Sequence, residues 1–298
     1  MSAVLKLDQL NLEQGSLDWH RHRSAHANAS EAPVIMGASP WEPDTWFKLW
    51  QIKTGRALPQ QRNSAMQRGL DMERYARAAY EEKTGMIMQP MVMRKNDWLS
   101  ASLDGISFDN DLILEIKCPG AGEDARLWQQ ALAGDVPDYC YWQIQHQLYV
   151  SGAPLAHLWV FDGANGVLTE VRPDTNNQAR LLREWHRFWS YMATDTPPPL
   201  TEKDTLPRND AVWADAADAY KFARAELQHA EAKAEQSRQR LIGLANHPKV
   251  TGAGITVTRF WQEGRVNYAA IPALKDIDLN RYRKPMTQQV RVTLGDQA

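Results

Sequence analysis

The segment Leu112–Cys118 constrains the fold most, because apolar residues surround its two charged ones. Its sequence, Leu-Ile-Leu-Glu-Ile-Lys-Cys, is typical of a β-strand. Glu115 and Lys117 are two residues apart, so they project from the same face of that strand. A Glu-x-Lys pair on a strand is usually a solvated ion pair. Here the apolar neighbours make a solvent-exposed face less favourable, and a functional site becomes the better interpretation.

The hydrophobic pattern around this strand predicts a mixed α/β fold. We expect helices over Asp44–Thr54 and Ser64–Thr84, Asp124–Ala133, Asp138–Ser151 and Thr175–Met192, and strands over Met86–Met93, Trp98–Leu103, Leu155–Phe161 and Gly166–Val171. Gly85 is expected to end the second helix. The order of helices, a strand meander, a helix, two strands and a helix is typical of a mixed sheet flanked by helices.

The Pro-rich stretch at residues 196–199 is expected to separate a core domain, residues 1–199, from an appendage, residues 200–298. The appendage should contain a long helix over Asp210–Ala245, rich in Ala, Glu, Gln and Arg, which would be either a packing helix or a coiled-coil arm. A short β segment, Gly254–Trp261, follows it. The basic tail contains Arg281, Arg283, Lys284 and Arg291, which would contact phosphates or remain solvated.

Composition excludes several classes of protein. The 298 residues include two cysteines, Cys118 and Cys140, too few for a disulfide framework, a four-cysteine iron–sulfur cluster or a cysteine-rich zinc site in one chain. No apolar run is long enough for a membrane span, and the first residues do not resemble a signal peptide. We therefore expect a soluble, intracellular protein. The net charge of −2 gives no indication for or against nucleic-acid binding.

A second acidic residue precedes the Glu-x-Lys strand. Asp104 stands near the end of the strand before it and is followed by Gly105, which we expect to form a turn. If the two strands pair, Asp104 and Glu115 converge on one point and Lys117 is directed at it. Carboxylate oxygens hold Mg²⁺, and phosphodiester hydrolysis uses Mg²⁺ to activate water and to neutralise charge on phosphate. The trio therefore predicts a magnesium-dependent nuclease.

Several motifs in this order resemble the phage lambda exonuclease family, also called YqaJ-type viral recombinases, within the PD-(D/E)xK nuclease superfamily. The likeness runs from about Ser16 to Val160. It rests on the segments 19–23, 29–31, 35–41, 69–73, 102–105, 115–119 and 141–149, which read WHRHR, ASE, IMGASPW, GLDME, SLDG, EIKCP and YWQIQHQLY. The resemblance implies a restriction-endonuclease-like core, a mixed central sheet flanked by helices.

The resemblance also implies roles for further residues. Glu73 and the backbone carbonyl of Ile116 would join Asp104 and Glu115 as metal ligands, and Gln143 would lie near the nucleophile. Arg23 and Ser30 would bind the terminal phosphate of the DNA. Here Glu31 stands where the family has Asp and the preceding spacing differs, so Arg21 is a rival to Arg23. Gln145 and Tyr149 are further candidates for the site, and a surface charge is the alternative for Glu73.

The function implied is digestion of linear double-stranded DNA from its ends, 5′ to 3′, which leaves 3′ single-stranded overhangs for homologous recombination. Two Mg²⁺ ions, with Mn²⁺ as a substitute, a homotrimer, a single-strand annealing partner and the cytoplasm of a bacterial host carrying a phage or prophage belong to the same expectation. Two alternatives stay open. One is a structure- or site-specific endonuclease of the same fold, and the other is a non-catalytic DNA-binding or assembly module.

Overall fold

The computed structural model describes residues 7–10, 12, 15–59, 61, 63–261, 271–272 and 277. The chain divides into two compact units, Met1–Leu206 and Pro207–Ala298. The first unit extends seven residues past Pro199, where the sequence suggested a boundary. Asp204 is the physical reason, because its carboxylate accepts a hydrogen bond from the Thr45 hydroxyl and so attaches this stretch to the first unit.

The first unit contains both helices and strands, and several elements of the same type follow one another along the chain. The strands are β1 (Leu7–Leu10), β2 (Ala27–Asn28), β3 (Gln89–Lys95), β4 (Leu99–Ile106), β5 (Leu112–Lys117), β6 (Leu155–Phe161) and β7 (Gly166–Val171). The helices are α1 (Leu17–Ala25), α2 (Ala32–Ile35), α3 (Trp46–Lys53), α4 (Ser64–Thr84), α5 (Arg126–Leu132), α6 (Asp138–Ser151) and α7 (Thr175–Ala193), and short 3₁₀ helices cover Ala29–Glu31 and Gly122–Asp124.

Among the described residues, seven strands form one mixed sheet. Its order is β1-β3-β4-β5-β6-β7, and β2 pairs with β4. The β5–β6 and β2–β4 pairs are parallel, while the other neighbours are antiparallel. A central sheet flanked by helices confirms the predicted fold class. Strand β5, which carries Glu115 and Lys117, lies inside the sheet between β4 and β6.

Alternating side chains of the central strands supply two separate hydrophobic clusters. Ile113 of β5 and Leu158 of β6 belong to the larger cluster, together with buried residues of α2, α6 and α7. Leu114 and Trp159 belong to the second cluster, which α4 completes through Tyr80. Because successive strand residues point to opposite faces, both faces of β5 are covered. A charged side chain on this strand is therefore removed from bulk water.

Local signals explain why α4 was predicted with its observed bounds. The side chain of Asn63 accepts a hydrogen bond from the backbone of Met66 at the start of the helix. Gly85 ends it with φ of +72°, a left-handed conformation that glycine adopts without a Cβ clash. Strands β6 and β7 also have the predicted bounds. Helices α1 and α2 and strands β1 and β2 were not predicted. Strand β3 begins three residues later than expected, β4 ends three residues later, and α5 begins two residues later.

The second unit contains helix α8 (Ala211–Leu244) and a hairpin of β8 (Lys249–Gly252) and β9 (Ile255–Thr258). Asp210 caps α8 by accepting a hydrogen bond from the backbone of Trp213. Strand β8 was not predicted. The basic residues predicted for the tail, from Arg281 to Arg291, lie outside the described residues. In the part of the chain that is described, no helix combines the length and apolarity that crossing a membrane requires.

Candidate active site

Pairing between β4 and β5 brings the predicted trio together. The strands run antiparallel with Gly105 opposite Leu114, and the Asp104 carboxylate accepts a hydrogen bond of 2.8 Å from the backbone N–H of Ile116. Asp104 is thereby held at the backbone between Glu115 and Lys117. It lies within β4 and not at the end of the strand, which corrects the position inferred from the sequence.

Gly105 likewise lies within β4 and forms no turn, contrary to expectation. A Cβ at this position would lie 2.7 Å from the Cβ of Met88 and 3.2 Å from that of Leu114. Glycine is required here because a neighbouring chain segment approaches the strand closely. The glycine therefore lets the strand that carries Asp104 pack tightly against its surroundings.

Glu115 is the more enclosed of the trio's two carboxylates, since the residue is 2% exposed. Its Oε1 accepts hydrogen bonds from Lys117 Nζ at 2.6 Å and from Gln143 Nε2 at 2.7 Å. Its Oε2 accepts a hydrogen bond from Gln147 Nε2 at 2.6 Å. Three donors thus fix the direction of both oxygens and satisfy a buried polar group.

Two glutamines of α6 provide this support, and only one of them was predicted to do so. Gln143 and Gln147 are four residues apart, so they lie on the same face of the helix. The resemblance placed Gln143, with Gln145 as a further candidate, near the nucleophile, and Gln147 was not among the predicted site residues. Gln147 is fully buried and also lies within 3.4 Å of the Ser102 carbonyl.

Glu73 reaches the same region from α4. Arg77, one helical turn further on, donates to the Glu73 carboxylate at 2.7 Å and to the backbone carbonyl of Asp104 at 2.9 Å. Arg77 therefore joins α4 to the strand that carries Asp104. It was not predicted as a site residue, although its spacing of four from Glu73 on one helix was visible in the sequence.

The three carboxyl groups influence each other electrostatically. Burial first, and then the charges of Glu115 and Glu73, raise the pKa of Asp104 well above its usual range. Burial also raises the pKa of Glu73, against the opposing effect of Arg77. Burial alone would lower the pKa of Lys117, but the charges of Glu115 and Asp104 hold it above its ordinary value. The site therefore has carboxylates whose charged forms an added cation would stabilise.

These residues have the donor chemistry that a hard divalent cation prefers. Asp104, Glu115 and the carbonyl of Ile116 would supply oxygen ligands to such a cation. Within the described part of the chain, no three or more His, Cys, Asp and Glu side chains come together as a group able to hold a metal ion. The expected ligands Asp104, Glu115 and the Ile116 carbonyl include only two carboxylates. The third acidic residue, Glu73, forms an ion pair with Arg77. The set therefore fits a metal in donor type, with Glu73 outside the immediate group.

A single cleft of about 1860 Å³ joins the trio to the predicted phosphate-binding residues. Its lining includes Glu73, Asp104, Glu115, Ile116, Lys117 and Gln143, together with Arg23 and Ser30. Arg23 Nη2 donates to the Ser30 hydroxyl at 2.8 Å, and the Arg23 guanidinium lies over the Trp19 ring. The two residues that were predicted to bind a terminal phosphate thus contact each other and face the cleft of the trio.

Three further candidates do not line this cleft. Gln145 is buried and bonds the backbone of Arg172 and Asp174, which gives it a structural contact with the segment before α7. Tyr149 lies beneath the ammonium of Lys95. Arg21 is exposed and pairs with Asp18, three residues before it. The geometry therefore favours Arg23 over Arg21 and Gln143 over Gln145.

Comparisons with known proteins agree with the mixed α/β fold. A crystal structure of LHK-Exo, an alkaline exonuclease from Laribacter hongkongensis, is similar with 22% identity and a TM-score of 0.50, covering 60% of this chain and 94% of that one. A structure of LHK-Exo in complex with dAMP gives 21% identity, the same TM-score and the same coverage. At these identities the likeness shows the fold.

No curated protein matches the chain. Residues 18–154 match the model of the YqaJ-like viral recombinase domain. Over these residues, somewhat less than half of its length, the chain is similar to the YqaJ-like viral recombinase domain.

Proposed function

We propose that this chain is a magnesium-dependent exonuclease that digests linear double-stranded DNA from its ends. The observation that carries the proposal is the buried Glu115 carboxylate, held by Lys117, Gln143 and Gln147 in a cleft that also contains Asp104. Glu115 and Glu73 lie close enough to Asp104 to raise its pKa. A purely structural role gives no reason to gather three acidic side chains in this way. The family match and the fold shared with an alkaline exonuclease support a phage-type exonuclease.

Each residue of the trio has a part in phosphodiester hydrolysis. Asp104, Glu115 and the Ile116 carbonyl would hold the cation, and Glu73 would assist from α4. When bound, two Mg²⁺ ions, or Mn²⁺ in their place, would activate water and neutralise charge that develops on the phosphate. The charges of Glu115 and Asp104 raise the pKa of Lys117, and its ammonium would donate to a phosphate oxygen or orient the water. Gln143 and Gln147 fix the direction of the Glu115 carboxylate.

Dependence on a DNA end would come from the Arg23–Ser30 pair. A guanidinium binds phosphate through several N–H donors, and a hydroxyl next to it adds another. Because this pair lines the cleft of the trio, a 5′-terminal phosphate bound there would bring a nearby phosphodiester to the acidic residues. We therefore propose 5′-to-3′ digestion that leaves 3′ single-stranded overhangs for phage-type homologous recombination.

The family also motivates a proposal about partners and location. We propose a homotrimer that encloses DNA, cooperation with a single-strand annealing protein, and action in the cytoplasm of a bacterial host. Light scattering tests the trimer directly. A mass that is not a multiple of three chains would remove it without affecting the proposed chemistry.

The decisive experiment is digestion of linear duplex DNA labelled at one 5′ end or one 3′ end, with and without Mg²⁺. We expect mononucleotides from the 5′-terminated strand, a surviving 3′-labelled strand, and no digestion with EDTA. A covalently closed circle is the control, and it should remain intact. Cleavage of the circle would replace the exonuclease with a structure- or site-specific endonuclease. No cleavage of any DNA in Mg²⁺ or Mn²⁺ would leave a non-catalytic DNA-binding module.

A further inference from the structure

Helix α8 has an exposed apolar surface along its whole length. The helix has 34 residues, which corresponds to about 51 Å, and none of them is buried. Trp213, Tyr220, Leu227, Ala234 and Leu241 recur every seven residues, and Ala216, Ala223, Ala230, Ser237 and Leu244 each follow three positions later. We call these ten residues the seam. Trp213 is 53% exposed and Leu227 45%. Spacing of this kind is typical of a helix in a coiled coil.

Large seam residues meet small ones in most layers only when a second copy runs in the opposite direction. In that arrangement, residues of the seven-residue series face residues of the other series. With full overlap, Leu227 faces the partner's Ala230, Tyr220 faces the partner's Ser237, and Leu241 faces the partner's Ala216. In these three layers a large side chain meets a small one, as close packing requires. In the other two layers Trp213 faces the partner's Leu244 and Ala234 faces the partner's Ala223. In a parallel pair, identical residues would meet, so that Trp213 would oppose Trp213 while several Ala layers left voids.

The charges beside the seam favour the same arrangement. Arg224 and Glu231 lie on one side of it, and Glu226 and Lys233 lie on the other. In the antiparallel pair with full overlap, Arg224 faces the partner's Glu231 and Glu226 faces the partner's Lys233. Symmetry repeats both contacts, so four attractive pairs form. Within the described residues none of these four side chains has an ion pair in its own chain, and all are therefore available.

Alternative registers bring like charges together. A shift by one heptad in one direction places Arg224 beside the partner's Arg224 and Glu226 beside the partner's Glu226. The opposite shift pairs Glu231 with itself and Lys233 with itself. A parallel pair in register brings Glu226 to the partner's Glu231. Like charges at these positions disfavour an arrangement. Size therefore favours the antiparallel orientation, and charge selects both that orientation and the register with full overlap.

We infer that α8 is a self-association element, which binds α8 of a second copy of this chain as an antiparallel coiled coil with full overlap. The inference does not depend on the proposed nuclease activity, because no residue of the cleft takes part. If the first units also form trimers, pairing through α8 would join trimers to one another.

Charge exchange on the full-length protein tests the pairing. The R224E/E226K variant keeps the net charge but makes all four contacts repulsive in its own dimer, and so does the E231R/K233E variant. We expect each to weaken association about a hundredfold. A mixture of the two variants restores four attractive pairs and should associate as the wild type does. The readout is mass by light scattering over a concentration series, with circular dichroism to confirm folding.

Disulfide trapping tests orientation and register. Because Tyr220 faces the partner's Ser237, Y220C and S237C chains should cross-link under mild oxidation only when they are mixed, giving a band at twice the chain mass of 33.9 kDa. F222A is the matched control, since Phe222 is 67% exposed but lies outside the seam, and its mass should equal that of the wild type.

Three results would overturn the proposal. Cross-linking of Y220C chains without S237C would indicate a parallel pair. Failure of the mixture to cross-link would exclude the proposed register. An unchanged mass in R224E/E226K would mean that another segment of the chain, or a different protein, covers the seam.

Discussion

Gln147 donates from Nε2 to Oε2 of Glu115 at 2.6 Å, on the oxygen that neither Lys117 nor Gln143 contacts. Removal of this donor leaves a buried carboxylate oxygen without a partner, which costs about 1–3 kcal/mol. We expect Gln147→Ala to lower kcat about 10- to 100-fold and to raise the Mg²⁺ concentration needed for half-maximal activity, since misorientation of ligands weakens metal binding. Digestion of end-labelled duplex across a Mg²⁺ series provides the measurement.

The matched control for this variant is Gln145→Ala on the same helix. Gln145 is equally buried, but its amide bonds the backbone of Arg172 and Asp174. Its loss should reduce thermal stability while leaving the Mg²⁺ requirement of the folded fraction unchanged. If the two variants shift the Mg²⁺ requirement equally, Gln147 has no specific role in positioning Glu115.

Lys117 is the cation of the trio, and its ammonium lies 2.6 Å from Glu115 Oε1. Lys117→Ala removes the charge that would act on the phosphate or the attacking water. We expect a loss of at least 10²- to 10³-fold in cleavage, the scale seen when one stabilising donor is removed, while DNA binding persists. Gel shift in Ca²⁺ and cleavage in Mg²⁺ separate the two properties. Glu115→Ala should behave similarly, and Mg²⁺-dependent cleavage that survives in either variant would contradict the assignment.

The sequence predicted the trio because strand periodicity and apolar neighbours are local signals. Residues two apart on a strand project from the same face. Glu115 and Lys117 do so, and their side chains are in contact. The same holds for α4, whose capping residue and terminal glycine both lie within a few positions of its ends. Strand faces and helix ends can therefore be predicted from periodicity and capping residues without knowledge of the tertiary structure.

Long-range contacts could not be predicted in this way. The bond from Arg77 to the Asp104 carbonyl joins residues 27 positions apart, and Gln147 lies 32 positions from Glu115. Gly105 was interpreted as a turn former because glycine is common in turns. Its true reason is the close approach of Met88, which depends on the packing of a separate segment. Short elements such as α2, with four residues, also carry too little periodicity to be recognised.

The Arg23–Ser30 pair leads to a prediction about end recognition. Arg23→Ala should reduce the preference for 5′-phosphorylated over 5′-hydroxyl duplex ends about tenfold or more, because a charge-assisted contact to phosphate is lost. Arg21→Ala is the control, since Arg21 is exposed, pairs with Asp18 and does not line the cleft. The initial digestion rates of the two substrates give the ratio. A drop with Arg21→Ala and none with Arg23→Ala would transfer the phosphate role to Arg21.

Stability in mild acid should depend on His146, which is buried in α6 and lies beside Trp185. Burial lowers the pKa of His146 to about 3 from an ordinary value of 6.5. Between these values the unfolded chain binds a proton at this histidine and the folded chain does not. Proton binding by the unfolded chain therefore lowers the free energy of unfolding as pH falls from 6.5 towards 3, by about 1.4 kcal/mol per pH unit. Above pH 6.5 this loss is absent.

His146→Gln removes this titration. The contribution of His146 is identified by how the difference in unfolding free energy between the two proteins depends on pH. Asp104 and Glu73, whose pKa values are raised, act in the opposite direction, but they do so equally in both proteins. The difference in unfolding free energy between wild type and His146→Gln should therefore be constant above pH 7 and should shrink from pH 6.5 to pH 4.5. Urea titrations at four pH values measure it. A difference that stays constant over the whole range would mean that His146 is protonated in the folded protein as readily as in the unfolded one.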